Sequence, residues 1–293
     1  MTEIKNFTEK QNYYINIVND FLKNELKKQN PLYDIVIEAM NYSVFAGGKR
    51  IRPVIMMEFS SVCGGKEEDI LPFAAAIEMI HTYSLIHDDL PCVDNDDFRR
   101  GKETSHKKFG ETIALFAGDA LLSMAFETAS KSKSGNALEC IGLLAKYSGI
   151  GGMLGGQTID KEFENKKMNN EILRSLHNLK TGALIKACGH IGTLCAGADI
   201  NMQNAAVKYC ENIGLAFQIQ DDILDITGDF KKLGKKTGSD TVNNKNTFVS
   251  INGLEKSKKE TVNLTNQAIK ALNIFNEKEF LINLAQMLLN REN

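Results

Sequence analysis

Proline occurs only at positions 31, 53, 72 and 91, and the two-thirds of the chain beyond residue 91 contain none. Proline removes a backbone donor and its ring clashes with the preceding turn, so it is kept out of most helix interiors. So long a stretch without it is open to uninterrupted helices. Apolar residues recur at three- and four-residue spacing, as in Ile113, Leu115, Phe116, Ala120, Leu121 and Met124, or in Val207, Cys210, Ile213 and Ala216. Asn136 with Glu139 three residues on, and Asn169/Asn170 before EILRSL, mark helix starts. Alternating β-branched strand patterns are scarce. The segment 228–246 (GDFKKLGKKTGSDTVNNKN) is the longest without period and reads as a functional loop. The expectation is one all-α domain over residues 1–293, with roughly ten helices.

A content of 43% hydrophobic and 25% charged residues suits a globular chain with a sizeable core. The net charge of −2 gives no bulk positive field for nucleic acid or an anionic membrane, so any phosphate site must be local. The stretch GALIKACGHIGTLCAGADI is interrupted by Lys186 and His190 and falls short of a membrane span. The polar start MTEIKNFTEKQ lacks a secretory core, which points to the cytoplasm. Six scattered cysteines, at 63, 92, 140, 188, 195 and 210, have neither zinc spacing nor a CxxC pair and read as reduced, mostly buried thiols.

Residues 85–101, LIHDDLPCVDNDDFRRG, carry five aspartates and then turn basic. The helical pattern of IEMIHTYSLIH should bring Asp88 and Asp89 out on its last turn. Asp88 and Asp94, six residues apart, would diverge on an unbroken helix. A break at Pro91 lets Asp94 fold back beside Asp88, forming a hard-oxygen site of the kind that holds Mg²⁺ with several waters. The bland reading is a solvated acidic loop. In FQIQDDILD (217–225), Asp221, Asp222 and Asp225 share one helical face among Phe217, Ile219, Ile223 and Leu224. Like charges so placed destabilise a helix, and a purely structural role for them is hard to state. Two such clusters suggest metal ions held between facing acidic patches, with a diphosphate completing the shell. The short basic groups GGKRIRP (47–53), FRRG (98–101), LKTG (179–182) and GKKTGSD (234–240) could receive phosphate.

Taken in order and spacing, GGKRIRP, HTYSLIHDDLPCVDNDDFRRGKETSH, FAGDALL, GGQTID, LKTG, FQIQDDILDITGD and LGKKTGSD with NKNTF resemble the short-chain trans-prenyl diphosphate synthases, the bacterial farnesyl diphosphate type most of all. The resemblance covers residues 40 to 255. It implies an isoprenoid-synthase helical bundle around a deep cavity, usually a homodimer, and a head-to-tail condensation of isopentenyl diphosphate with an allylic diphosphate. It further implies three Mg²⁺ ions in each active site, with Mn²⁺ as an alternative, on Asp88, Asp94, Asp221 and Asp225, with Asp89 and Asp222 in support. Arg99, Lys180, Lys235 and Lys245 match residues that grip the allylic diphosphate. Lys49, Arg52, His81 and Arg100 match the isopentenyl diphosphate pocket. Thr181 and Gln218 match polar groups near the carbocation. Tyr83 and Ser84, five and four residues before Asp88, would floor the hydrocarbon pocket and stop the product at fifteen carbons, with geranyl or geranylgeranyl diphosphate as alternatives. Asn95 departs from relatives that carry aspartate there.

Rival readings are a di-iron bundle built on Glu78-x-x-His81 and Glu103-x-x-His106, a terpene cyclase, a phosphohydrolase built on His87-Asp88, and a non-catalytic partner subunit of another prenyl synthase. The first leaves both aspartate clusters unexplained. The second lacks a mixed Asn/Ser/Glu second motif, the third lacks grouped histidines, and the fourth would be expected to have lost one cluster.

Overall fold

The structure is a computed structural model that describes residues 2–227 and 246–291, with side chains from residue 6 onward. It is all-α: 75% of the described residues are helical, and the one sheet among them is a hairpin with two residues in each strand. By contact the chain divides into two compact units. One comprises residues 1–141 and 195–197, the other residues 142–194 and 198–293.

The first unit contains α1 (Thr2–Glu25), α2 (Asp34–Val44), α3 (Ile51–Val62), α4 (Glu67–Asp88), β1 (Phe98–Arg99), β2 (Lys102–Glu103), α5 (Ser105–Phe109) and α6 (Glu111–Ala129), and runs into the start of α7 (Ala137–Ser148). Its axis is α4, which is buried along most of its length and packs chiefly against α6 and α3. Glu67, Glu68 and Asp69 lie in its first turn, where the helix dipole favours negative charge. Pro72 sits inside α4 without ending it, against the simple expectation from its missing N–H. Burial of Ile70, Phe73, Ala74 and Ile77 around it supplies tertiary packing that outweighs one lost backbone bond.

The face of α6 toward α4 is made of small residues, including Ala114, Ala117, Gly118 and Ala125, all buried. Gly118 leaves room for the His87 ring: a methyl on it would lie 2.0 Å from Nε2 and would have to displace that ring. α6, rather than the stretch singled out from the sequence, is the one helix among the described residues long and apolar enough to cross a membrane by length and composition. Its buried small-residue face is that of a core helix.

Arg50 begins α3 in a left-handed conformation, φ 49°. Its buried guanidinium donates to Glu78 Oε1 at 2.8 Å, to Val44 O at 2.6 Å and to Asn19 Oδ1 at 3.0 Å. A buried ion pair holds its place only when further hydrogen bonds offset desolvation, as they do here. The pairing withdraws Glu78 from any iron site. Glu103 is exposed on β2 rather than on a helix with His106, so the di-iron reading fails on geometry as well.

The second unit contains the rest of α7, then α8 (Met153–Glu162), α9 (Asn170–Lys180), α10 (Gly182–Cys195, to residue 194), α11 (Ile200–Thr227), α12 (Phe248–Asn252), α13 (Leu254–Ala271), a 3₁₀ turn (Leu272–Ile274) and α14 (Glu279–Leu289). α7 starts directly after Asn136, and α9 is capped as expected, with the Asn169 side chain accepting from Ile172 N at 2.9 Å. A core cluster of Leu173, Leu176, Leu215, Ile219, Ile223, Phe248 and Leu264 joins α9, α11, α12 and α13. Fourteen α-helices occur among the described residues against the ten or so expected, partly because five-residue helices such as α5 and α12 are too short to show a period.

Candidate active site

α4 ends at Asp88, three residues before Pro91, and the chain turns at once. The amide of Asn95 donates to Leu90 O at 3.1 Å, and that of Asp94 donates to Asp88 O at 2.9 Å. Asp94 therefore returns beside Asp88, as the spacing around Pro91 predicts. Asn95 lies at φ 53°, a left-handed position that asparagine adopts more readily than most residues, which accounts for an amide at this position.

The RRG sequence forms the hairpin turn. Arg99 pairs with Lys102, and Arg100 and Gly101 both take positive φ (53° and 74°), as a tight primed turn requires. The turn separates the two arginines. Arg99 grips the buried Asp89, with Nε 2.8 and 2.9 Å from the two carboxylate oxygens and Nη2 2.5 Å from Oδ1. Burial pushes the Asp89 carboxyl above the ordinary aspartate range, and Arg99 opposes that shift. Asp89 thus orients Arg99. Arg100 donates to Gly47 O.

His81, about two turns before Asp88 on α4, lies among cations. Burial lowers its pKa well below 6.5, and Arg52, Arg100, Arg99 and Arg50 lower it further. His81, Arg52, Arg99 and Arg100 are therefore gathered in one place, and the imidazole is neutral at pH 7. Lys49 is exposed in the irregular segment that leads into α3. Tyr83 is buried on α4, edge-on to the His87 ring at 5.6 Å, and burial followed by the Asp88 charge raises its phenol pKa. Ser84 is half-buried and donates to His81 O at 2.9 Å.

In the second unit, Lys180 ends α9 with Nζ 2.5 Å from Asp160 Oδ2. Gly156, of the GGQTID stretch, lets α8 reach this point: a methyl there would lie 2.1 Å from Lys180 N. Thr181 Oγ1 donates to Gln218 Oε1 at 2.9 Å, and Gln218 Nε2 points at Asp222 Oδ1 at 3.4 Å. The three aspartates of α11 differ. Asp222 is buried, and its Oδ2 accepts the Phe248 amide at 2.7 Å, anchoring the start of α12. Asp221 and Asp225 are half-exposed. Asp221 Oδ1 accepts from Arg291 Nη2 at 2.5 Å. Lys235 and Lys245, with segment 228–245 around them, lie outside the described residues.

A polyprenyl synthetase family model matches residues 33–283. A farnesyl diphosphate synthase of Micrococcus luteus is 44% identical over 274 residues, 90% of this chain and 91% of its own. A geranylgeranyl diphosphate synthase of Cyanophora paradoxa is 43% identical over 283 residues, 94% of each. Among solved structures, an FPP/GFPP synthase of Zymomonas mobilis matches with a TM-score of 0.88 and 35% identity, covering 97% of this chain and 99% of that one. The chain belongs to the polyprenyl synthetase family. It is a prenyltransferase of the trans-prenyl diphosphate synthase class.

Members of this family generally use a divalent metal. Among the described residues, no three His, Cys, Asp or Glu side chains are gathered closely enough to hold an ion unaided. The carboxylates fit the group nonetheless, because Mg²⁺ characteristically takes one or two carboxylates and completes its shell with water and substrate phosphate. Three polar partners went unnoticed in the sequence: Arg50, Asp160 and Arg291. Asp160 stands at the end of GGQTID, where only its fixed distance from LKTG could have suggested the pair. Arg291 carries no motif at all.

Proposed function

We propose that the chain makes farnesyl diphosphate by Mg²⁺-dependent condensation of isopentenyl diphosphate with dimethylallyl or geranyl diphosphate. The observation that carries this reading is Arg99, which grips Asp89 and feels the charge of Asp88 at the Asp88/Asp94 turn and, with Arg52 and Arg100, acts on His81 in the same unit. Carboxylates suited to a metal-bound diphosphate thus stand beside cations suited to a second, metal-free one.

In this reading, Asp88 and Asp94 on the first unit, and Asp221 and Asp225 on the second, would each supply carboxylates to metal that binds the allylic diphosphate, and Asp89 and Asp222 orient their neighbours. Bound Mg²⁺, three ions in the full site and replaceable by Mn²⁺, would neutralise charge developing on the departing group. Arg99 and Lys180 are kept in place by Asp89 and Asp160 and bind the same group, with Lys235 and Lys245. The allylic C–O bond breaks with its electron pair leaving on diphosphate, and the isopentenyl double bond attacks the carbon left behind. The proton then lost goes to the released diphosphate. Thr181 and Gln218, already hydrogen-bonded to each other, turn oxygen dipoles toward the cation. Lys49, Arg52 and Arg100 bind isopentenyl diphosphate. His81, neutral among them, can accept or donate a hydrogen bond without adding charge.

Tyr83 and Ser84 floor the hydrocarbon pocket, and the buried, bulky Tyr83 supports a fifteen-carbon stop. The family match runs continuously over residues 33–283, which supports a single functional domain. The exposed Leu115 and Phe116 on α6 support a homodimer formed through that helix. All six cysteines are free thiols, four of them buried, as in a protein of the reducing cytoplasm.

The test is incubation with Mg²⁺, isopentenyl diphosphate and either allylic starter, with the product dephosphorylated and sized. A C15 alcohol is expected. A C10 or C20 alcohol would keep the chemistry and discard the Tyr83 floor, whereas no Mg²⁺-dependent product would overturn the assignment.

A further inference from the structure

Arg291 follows α14 and reaches back to α11. Its guanidinium carbon lies 3.7 Å from the centroid of the Phe217 ring. One nitrogen, Nη2, donates both to Phe217 O at 2.8 Å and to Asp221 Oδ1 at 2.5 Å. The arginine side chain is only 10% exposed, against 44% for the aspartate. This is not a loose surface pair: a ring face and a backbone carbonyl hold the cation where it meets the carboxylate.

We propose that Arg291 is a resident counter-cation on Asp221, displaced when metal binds, and that it thereby sets the metal affinity of the second aspartate cluster. The inference rests on the metal-binding reading above. Three carboxylates within one turn of α11 repel one another and need compensation. Asp222 has the Phe248 amide, and Asp221 has Arg291. The guanidinium occupies one lone pair of Asp221 and its positive charge opposes a second cation at the same carboxylate, so metal and Arg291 compete for Asp221. The arginine is held in a way that permits exchange. Its Nε has no hydrogen-bond partner among the described residues, so Nη2 carries the polar grip while the ring carries the stacking. Breaking the single hydrogen bond to Asp221 withdraws the guanidinium from the carboxylate and leaves it stacked on Phe217. The residue is a positioning residue for the metal site.

The experiment is titration of the full-length protein with Mn²⁺ alone, reading free Mn²⁺ by electron paramagnetic resonance at fixed ionic strength. Asp221→Asn identifies which class of bound ions belongs to this cluster. Arg291→Gln should tighten that class by about threefold to tenfold, the range expected when one ion pair stops competing. Arg291→Lys keeps the charge and loses the fork, so it should fall between wild type and Arg291→Gln; it also serves if the glutamine variant does not fold. Unchanged or weaker Mn²⁺ binding in both variants overturns the counter-cation while leaving the metal site standing. If wild type takes up no Mn²⁺ saturably, or Asp221→Asn alters nothing, the metal-binding reading of this cluster falls and the proposal with it.

Discussion

The amide of Asp94 donates to the carbonyl oxygen of Asp88 at 2.9 Å, closing a turn that brings the two residues together six positions apart in sequence. The turn begins where α4 stops, and Pro91 lies inside it rather than at the break. Because the bond is made by backbone, side-chain substitutions can test the carboxylates without dismantling the turn. Asp88→Asn and Asp94→Asn should each lower kcat by about a hundredfold or more, with the helical circular dichroism spectrum unchanged. Near-normal turnover in either variant would remove that carboxylate from the metal site.

Asp221 and Asp222 are adjacent but should respond in opposite ways. Asp221 is half-exposed and meets Arg291 at its side, whereas Asp222 is buried and accepts the Phe248 amide at 2.7 Å. Asp222→Ala leaves that buried donor without its acceptor and should cost about 1–3 kcal/mol in urea unfolding. Asp221→Ala should cost turnover by orders of magnitude and stability little. Equal stability losses in the two variants would show that the division of labour along this helix is wrong.

The all-α class was legible because the periodicities of α4, α6 and α11 are long, and the Asp88–Asp94 return was legible because Pro91 forbids a straight helix there. The hairpin at Arg99–Lys102 was not, since four paired residues show no alternation; its signal was the Arg100–Gly101 turn. Pairings that join distant segments left no local trace. Arg50 with Glu78, Lys180 with Asp160 and Asp221 with Arg291 are each set by how helices pack, and no spacing rule connects them. The GGQTID stretch was recognisable as a pattern, but the reason for Gly156, its contact with the Lys180 backbone, exists only in the folded chain.

His177 gives the fold a sensitivity to acid. It is buried on α9, and burial lowers its pKa from 6.5 to about 4, with Asp160 opposing and Arg174 and Lys180 adding to the shift. The unfolded chain therefore binds this proton more readily than the folded one. Stability is fully present above pH 6.5 and falls as the pH drops toward 4, where the loss levels off. Burial this complete makes the loss on the order of 3 kcal/mol. Urea unfolding at pH 7, 6 and 5 should show the decline, and His177→Gln should flatten it. An equally steep decline in the variant would assign the acid sensitivity to other groups.

Tyr83 should set product length. It lies on α4 five residues before Asp88, so its ring sits about one and a half turns from the carboxylate that would bind metal for the diphosphate, and it is buried. A chain growing from that diphosphate along α4 would meet the ring. Tyr83→Ala removes it, should lengthen the main product by at least one five-carbon unit, and should cost about 3 kcal/mol of stability through the space it leaves. The assay therefore belongs well below the variant's unfolding temperature. Sizing the dephosphorylated alcohols decides the matter: longer products place the floor at Tyr83, and an unchanged C15 product from a folded variant places it on another residue.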